Sequence, residues 1–379
     1  MGSRFARIYS YIATFLLSSV LIIVLGHYAL ELRAQFHRSA SVDPNSLAID
    51  ARAYMAVYAN NPEREAVFQY SLQDHTHFEP YIHFRRDPIN TRHVHVDQDG
   101  VRKTIKDPKA HAKKVFMLGG STLWGTGASD EMTIPSLLQH SLGDEYDVYN
   151  LGETGYVSTQ ELNQLLKKLA DGEVPDYVIF YDGNNDGYAG AYSPAVPRDP
   201  QNLRKEAESR RKSESDIIYR LVHDWFEPSN YGKLLWSLKE RRVRHWEESI
   251  ADSVGMRAGK VVGYYDAHIR QVKALAKEYG FKAYFFWQPN LFNPHRPPAS
   301  YEKDIQESAA PVFVESQRQV YAEAKKIFEG RENEGVFFIA DMFNAVSEPI
   351  FLDWSHTSME GNKMVADKIF ASIKRDIAR

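Results

Sequence analysis

In VFMLGGSTLWGTG, residues 115–127, an apolar run stops on Gly119 and Gly120 and is followed at once by Ser121. Near the other end of the chain, FLDWSHTSMEGNKM places Asp353 three residues before His356. A serine hydroxyl is a weak nucleophile until a general base accepts its proton. A histidine serves as that base when a carboxylate fixes its tautomer and stabilises the imidazolium. An Asp and a His three apart on a loop can meet across their own turn. Acyl transfer also needs N–H groups for the developing oxyanion. Three donors are available at suggestive places: the backbone of Ser121, the backbone of Gly155 in NLGETG, and the side-chain amide of Asn185 in GNND. Taken singly, each has an ordinary reading. GGS can be a plain turn, Gly155 can simply permit a positive φ, and Asn185 can be a turn residue bonding its own backbone.

The elements that must position these residues follow from periodicity. KVFMLGG, DVYNLG, DYVIFYDG, KAYFFWQP and GVFFIAD are short apolar runs of strand length. Between and after them lie TIPSLLQHSL, STQELNQLLKKLADG, AHIRQVKALAKEYG, a segment around Phe313 to Phe328, and GNKMVADKIFASIKRDI, with apolar residues at helical spacing. Ser158 with Glu161 three positions on has the pattern of a capping box. Strands alternating with amphipathic helices imply a parallel sheet covered on both faces, an α/β fold. Sites in such sheets lie at the carboxyl ends of the strands. GGS, NLGETG and YDGNND end the first, second and third strands, so the candidate residues share one edge of the sheet.

In this order the blocks resemble those of the SGNH hydrolases, also called GDSL esterases/lipases. The first block reads GGST here rather than GDSL and keeps the serine. NLGETG has the family's Asn-to-Gly spacing and points to Gly155 rather than Gly152. GNNDG puts the amide at Asn185, with Asn184 the lesser candidate, and DWSH supplies Asp353 and His356. The resemblance covers roughly residues 113–379. It implies a flavodoxin-like three-layer sandwich around a five-stranded parallel sheet. It also implies ester hydrolysis with Ser121, Asp353 and His356 as catalytic residues and Ser121, Gly155 and Asn185 as the oxyanion hole, without metal or cofactor. In many members a backbone carbonyl helps orient the base, which would make Asp353 matter less than the other two.

The rest of the chain sets the context. Of 379 residues, 43% are hydrophobic and 25% charged, ordinary globular usage, and the net charge of −4 gives no reason to expect nucleic acid. The absence of cysteine excludes disulfides, thiolate nucleophiles and cysteine-ligated zinc. Residues 8–30 contain no Asp, Glu, Lys or Arg and are long enough to cross about 30 Å of hydrocarbon. We read them as an uncleaved transmembrane helix rather than a signal peptide, whose apolar core is shorter and ends in a small-x-small site. Arg4 and Arg7 before the run favour residues 1–7 in the cytoplasm and a periplasmic or extracellular catalytic domain. Residues 31–110, polar and irregular, read as a stalk and a small cap. There His93 and His95 would share one strand face, either as a polar surface or as metal ligands without an evident third. The main domain spans 111–379, interrupted over about 191–260 by the mixed-charge run RKEAESRRKSESD and by apolar-aromatic patches that could form a lid.

Aromatic residues are abundant at 13%, and Trp124, Tyr156, Trp287 and Trp354 each fall near a motif or strand end, where they could stack on sugar rings. Membrane-anchored proteins resembling this one, with a cap before a GGST block, suggest action on O-acyl groups of exported polysaccharide or cell-envelope glycan. The expectation is therefore a carbohydrate O-acetylesterase taking an acylated small molecule or glycan. An acyltransferase to polysaccharide, a short-chain lipase or thioesterase, and a non-catalytic glycan-binding or assembly protein are the alternatives. The sequence leaves the oligomeric state open.

Overall fold

The computed structural model describes residues 76–106, 108–192, 254–292, 296–298 and 300–377, with residue 58, residues 64–68 and positions 11, 14, 15 and 18. The chain divides into two compact units. One comprises Ala48–Arg211 with Ile250–Arg379 and holds every element named below; the other, Met1–Leu47 with Lys212–Ser249, falls almost wholly outside the described residues. The expected anchor at 8–30 belongs to this second unit, and all of it but positions 11, 14, 15 and 18 lies outside the described residues, as does the charged run 204–216 of the interruption. Among the described residues no helix is long and apolar enough to cross a membrane.

Within the first unit, a short helix α1 (Arg64–Phe68) precedes two small antiparallel pairs, β1 (Thr76–Glu79) with β2 (His83–Arg86) and β3 (Ile89–Asn90) with β4 (His95–Val96). The apolar runs then form β5 (Lys113–Gly119), β6 (Tyr146–Asn150), β7 (Tyr177–Asp182), β8 (Lys282–Trp287) and β9 (Val336–Phe338). Their order in the sheet is β6-β5-β7-β8-β9, every pair parallel. The five-stranded parallel sheet expected from the alternating pattern is therefore present.

Helices cover both faces because alternate strand residues point to opposite sides. Phe116, Leu118, Val178, Phe180 and Phe285 pack against α4 (Ser158–Ala170), α6 (Val254–Tyr279) and α8 (Pro311–Phe328). Val115, Met117, Val148, Ile179 and Phe286 pack against α3 (Ile134–Leu142) and α9 (Met359–Ile377). Core residues such as Leu138 and Ile369 are fully buried, and trimming one to Ala would cost about 2–5 kcal/mol. Three further helices complete the unit: α2 (Ser121–Trp124), α5 (Asn184–Tyr192) and α7 (Ser300–Ser308).

Several details differ from the sequence reading. Helix α6 begins at Val254, inside the segment assigned to the interruption, and α5 and α7 were not anticipated. The start of α4 is shifted: its N-cap is Val157, and Gln160 rather than Glu161 reaches back, accepting from the Val157 N–H at 3.2 Å. Ser158 is the first helical residue, and its hydroxyl is drawn instead to Asp186. Strand β4 holds only two residues, so His93 and His95 do not share a strand face. His95 Nδ1 meets Asp130 Oδ2 at 2.7 Å, and the same carboxylate accepts from Arg102 Nε at 3.2 Å.

Arg102 ties the cap to the sheet. Isolated bridges run from Val96 to Arg102 and from Arg102 to Asn150, extending the edge beyond β6. Its guanidinium, fully buried, donates to the carbonyls of Trp124, Gly125 and Ala128 at 2.6–2.9 Å. Burial lowers its pKa to about 10, which leaves it charged at neutral pH. A buried cation whose donors are met by carbonyls and one carboxylate resists displacement, since each lost partner exposes an unpaired charge.

Candidate active site

Strand β5 ends at Gly119 and helix α2 begins at Ser121, so the serine sits on a strand-to-helix turn at the carboxyl edge of the sheet. Because β5 has its sequence successors β6 and β7 on opposite sides, this is the point where strand order reverses, where a crevice opens in sheets of this kind. Gly120 is required there by close approach: a Cβ on it would lie 2.3 Å from the Asn185 amide nitrogen.

His356 comes from the loop between β9 and α9. Its Nε2 lies 2.8 Å from Ser121 Oγ, and its Nδ1 lies 2.7 Å from Asp353 Oδ2. The other oxygen of Asp353 accepts from the backbone N–H groups of Ser355 and His356, both at 2.8 Å. A carboxylate held this way can only accept, so Nδ1 of His356 carries the proton and Nε2 is left to accept from Ser121. These contacts, with the Ser355 hydroxyl donating to the same carboxylate at 3.3 Å, also fix the turn that aims the ring. Further back, Glu302 of α7, fully buried and paired with Arg296 at 2.7 Å, accepts the N–H groups of Ile350 and Phe351 at 2.9 Å. The loop is thus anchored immediately before Asp353.

The oxyanion candidates come from the ends of β6 and β7. A turn links Tyr156 N–H to the Glu153 carbonyl at 3.3 Å, and Gly155, at its third position, has φ +77°, a value that favours glycine. Among the described residues its N–H has no protein acceptor. Asn185, in the first turn of α5, donates from Nδ2 to the Tyr156 carbonyl at 2.7 Å. An amide nitrogen carries two hydrogens, so one donor remains. Asn184 is turned into the core, accepting from Tyr321 O–H at 2.6 Å and donating to the Pro289 carbonyl at 3.3 Å. Of the two asparagines, only Asn185 is beside Ser121.

Behind Asn185 lies a buried acidic cluster that sequence reasoning missed. Asp186 accepts the Ser158 hydroxyl at 2.6 Å, and His268 Nδ1 lies 2.9 Å from the same hydroxyl. Since that hydroxyl proton faces Asp186, His268 donates to Ser158. Asp182 accepts from Tyr265 O–H at 3.0 Å, while neither oxygen of the fully buried Glu161 meets a donor. Burial pushes the Asp186 carboxyl up to about 6 and the Asp182 carboxyl up to about 7. Glu161 is raised well above its ordinary value, first by burial and then by Asp182. The only sequence signal was Asp186 standing directly after Asn185.

The aromatic expectations divide. Trp124, Tyr156 and Trp287 are at most 2% exposed and cannot offer a ring face to a ligand. Trp287 packs edge-on against Tyr265 and Tyr321 under the sheet edge, because it ends a central strand rather than lying on a loop. Tyr156 meets Phe84 edge-on at 5.3 Å, and two arginine side chains lie over the Trp124 ring. Trp354, between Asp353 and Ser355, is half-buried. It stacks with Tyr188 at 6.1 Å and with Phe292 at 6.3 Å. Tyr188 of α5 is 42% exposed and adds an open aromatic surface that the sequence reading did not single out.

Metal ligation finds no cluster among the described residues. No family model matches the chain, and no curated protein does. Its similarities run to solved structures of G-D-S-L and acetylesterase proteins. A protein titled as lipolytic and of the G-D-S-L family, from Desulfitobacterium hafniense, is 13% identical, covering 69% of this chain and 98% of its own, with a TM-score of 0.35. A catalytic mutant of an acetylxylan esterase from Geobacillus stearothermophilus is 14% identical over 71% and 96%, TM-score 0.38. A carbohydrate acetylesterase family member from Sinorhizobium meliloti is 15% identical over 70% and 98%, TM-score 0.35.

Proposed function

We propose that this chain is a serine esterase of the SGNH type, acting on small acyl groups, with O-acetyl esters of carbohydrate or cell-envelope glycan as its substrate class. The observation that carries the reading is the unbroken chain Asp353–His356–Ser121, with contacts of 2.7 and 2.8 Å, closed by the Asn185 amide beside Gly120. Such geometry is recognised by its roles rather than by the fold that bears it.

In the reaction, Ser121 Oγ attacks the acyl carbon as its proton passes to His356 Nε2. Asp353 stabilises the resulting imidazolium through Nδ1–H. The carbonyl electrons move onto oxygen, where Ser121 N–H, Gly155 N–H and the free hydrogen of the Asn185 amide receive the charge. Collapse of this intermediate expels the alcohol, which takes the proton from His356. Water then attacks the acyl-serine by the same route, its proton passing to His356, and the released Ser121 oxygen recovers it.

For the alcohol portion, Tyr188 and Trp354 form the aromatic surface next to the triad, suited to the apolar face of a sugar ring. An acyl-chain-length profile with aryl esters, followed by acetate release from acetylated oligosaccharides, tests the substrate class. Preference for acetyl and release from glycan support it. A preference for long acyl chains points to the lipase alternative, and acetyl transfer to a glycan acceptor points to the acyltransferase. Residues 8–30 are proposed as a membrane anchor that places the domain in the periplasm or outside the cell; release of the full chain from membranes by alkaline carbonate would contradict this.

A further inference from the structure

The hairpin β1–β2 precedes every block of the SGNH resemblance, yet its side chains end at the oxyanion loop. Residues alternate along β2, which directs Phe84 and Arg86 to one face. Arg86 N–H donates to Glu153 Oε2 at 2.9 Å, and its guanidinium Nη2 donates to Glu153 Oε1 at 3.0 Å and to Thr154 Oγ1 at 2.6 Å. Glu153 is fully buried and Arg86 is 2% exposed, so neither charge has water as a substitute partner. The loop and the first turn of α4 that follows it are tied to the hairpin at two further points: Tyr156 O–H donates to the Phe84 carbonyl, and Gln160 Nε2 donates to the Ile82 carbonyl at 3.0 Å. Glu153 N–H donates to the Gly119 carbonyl at 3.1 Å, next to the serine turn. The Arg86 guanidinium also lies over the Trp124 ring, 4.7 Å from its centre, in the helix that Ser121 begins.

One side chain therefore touches both halves of the oxyanion hole, the loop that carries Gly155 and the helix that carries Ser121. We infer that Arg86 is a positioning residue, holding the Gly155 N–H, through Glu153 and Thr154, where the substrate's oxyanion forms on attack by Ser121. The cap hairpin is on this account part of the catalytic apparatus rather than an appendage. Without the guanidinium, Glu153 is a buried carboxylate with no cation, and the turn 153–156 moves to let water reach it. The inference rests on the Ser121 esterase reading.

The test uses the full chain as wild type, Arg86→Ala, Arg86→Lys and Tyr156→Phe. Each is measured for kcat and KM on p-nitrophenyl acetate, and for the rate and final extent of labelling by a fluorophosphonate. The extent reports how much protein is folded; the rate reports the oxyanion hole. Arg86→Ala is expected to lower kcat by about 10²-fold, the scale of a misplaced catalytic group, with KM and labelling extent unchanged and labelling rate falling in step. Arg86→Lys recovers only part, because an ammonium lacks the fork that spans Glu153 and Thr154. Tyr156→Phe, which removes one hydroxyl, lowers kcat by about tenfold without loss of labelling extent. A wild-type kcat per labelled site in Arg86→Ala overturns the inference. So does a wild-type kcat in Tyr156→Phe should the arginine variants fail to fold. A wild-type chain that neither hydrolyses nor labels overturns the esterase reading, and this one with it.

Discussion

The Asn185 amide donates to the Tyr156 carbonyl at 2.7 Å while its nitrogen occupies the space a Cβ on Gly120 would fill. This contact and hydrogen bond thus hold the segment after β7, the loop carrying Gly155 and the serine turn relative to one another. The neighbouring Asn184 points the other way, into bonds with Tyr321 and Pro289.

These opposite orientations separate the two asparagines experimentally. Asn185→Ala should lower kcat by about 10²–10³-fold, the cost of one oxyanion donor, with KM little changed. Asn184→Ala should instead leave two buried partners unpaired and lower the thermal midpoint, at a cost of about 1–3 kcal/mol. Steady-state kinetics paired with thermal unfolding distinguishes the two outcomes.

Asp353 accepts at both oxygens, and only one contact is to the histidine ring. In Asp353→Asn the amide nitrogen can face Nδ1 and favour the wrong tautomer. The expected loss is about 10²–10⁴-fold in kcat with near-normal substrate binding. A small loss would mean that the backbone of the turn suffices to orient the ring.

The buried acids give a pH dependence of stability. Asp186 is pushed up to about 6 and Asp182 up to about 7, above their values in the unfolded chain. Between about pH 4 and pH 7 the folded state holds more protons than the unfolded one, so these groups reduce stability as pH rises through that window. Asp182→Asn removes one such group and keeps an acceptor for Tyr265. Relative to wild type it should gain more than about 1 kcal/mol between pH 5 and pH 8 in urea unfolding. Burial and Asp182 raise Glu161 in the same sense, so Glu161→Gln should likewise gain stability over wild type as pH rises.

Tyr188 and Trp354 should govern the alcohol rather than the acyl group. Replacing Tyr188 by Ala removes a stacking surface worth about 0.5–1.5 kcal/mol. It should lower kcat/KM on acetylated oligosaccharides while sparing p-nitrophenyl acetate. Equal losses on both substrates would place Tyr188 in the support of the triad.

Much of this was legible in the residues. All five strands, and the edge on which GGS, NLGETG and YDGNND gather, follow from short apolar runs alternating with helical spacing. Asp353 and His356 declared themselves through a spacing that works within one turn. The failures have physical reasons. Trp124, Tyr156 and Trp287 flank the motifs but terminate buried elements, and nearness in sequence does not reveal on which side of the sheet edge a ring will fall. Ser158 looked like a cap because a serine and a Glu three residues on can each accept the other's backbone N–H at a helix start; here a buried carboxylate 28 residues away takes the hydroxyl instead. Arg86 and Glu153 are 67 residues apart, on a polar segment with little periodicity, and only the fold brings them together.

Hydrolysis by Ser121 is the central claim, and its most direct measurement is p-nitrophenyl butyrate turnover by the purified full chain beside its Ser121→Ala variant, with fluorophosphonate labelling of both. The account predicts turnover and labelling in the wild type, and neither in a variant that unfolds at the same temperature. Equal turnover by the two proteins would contradict it.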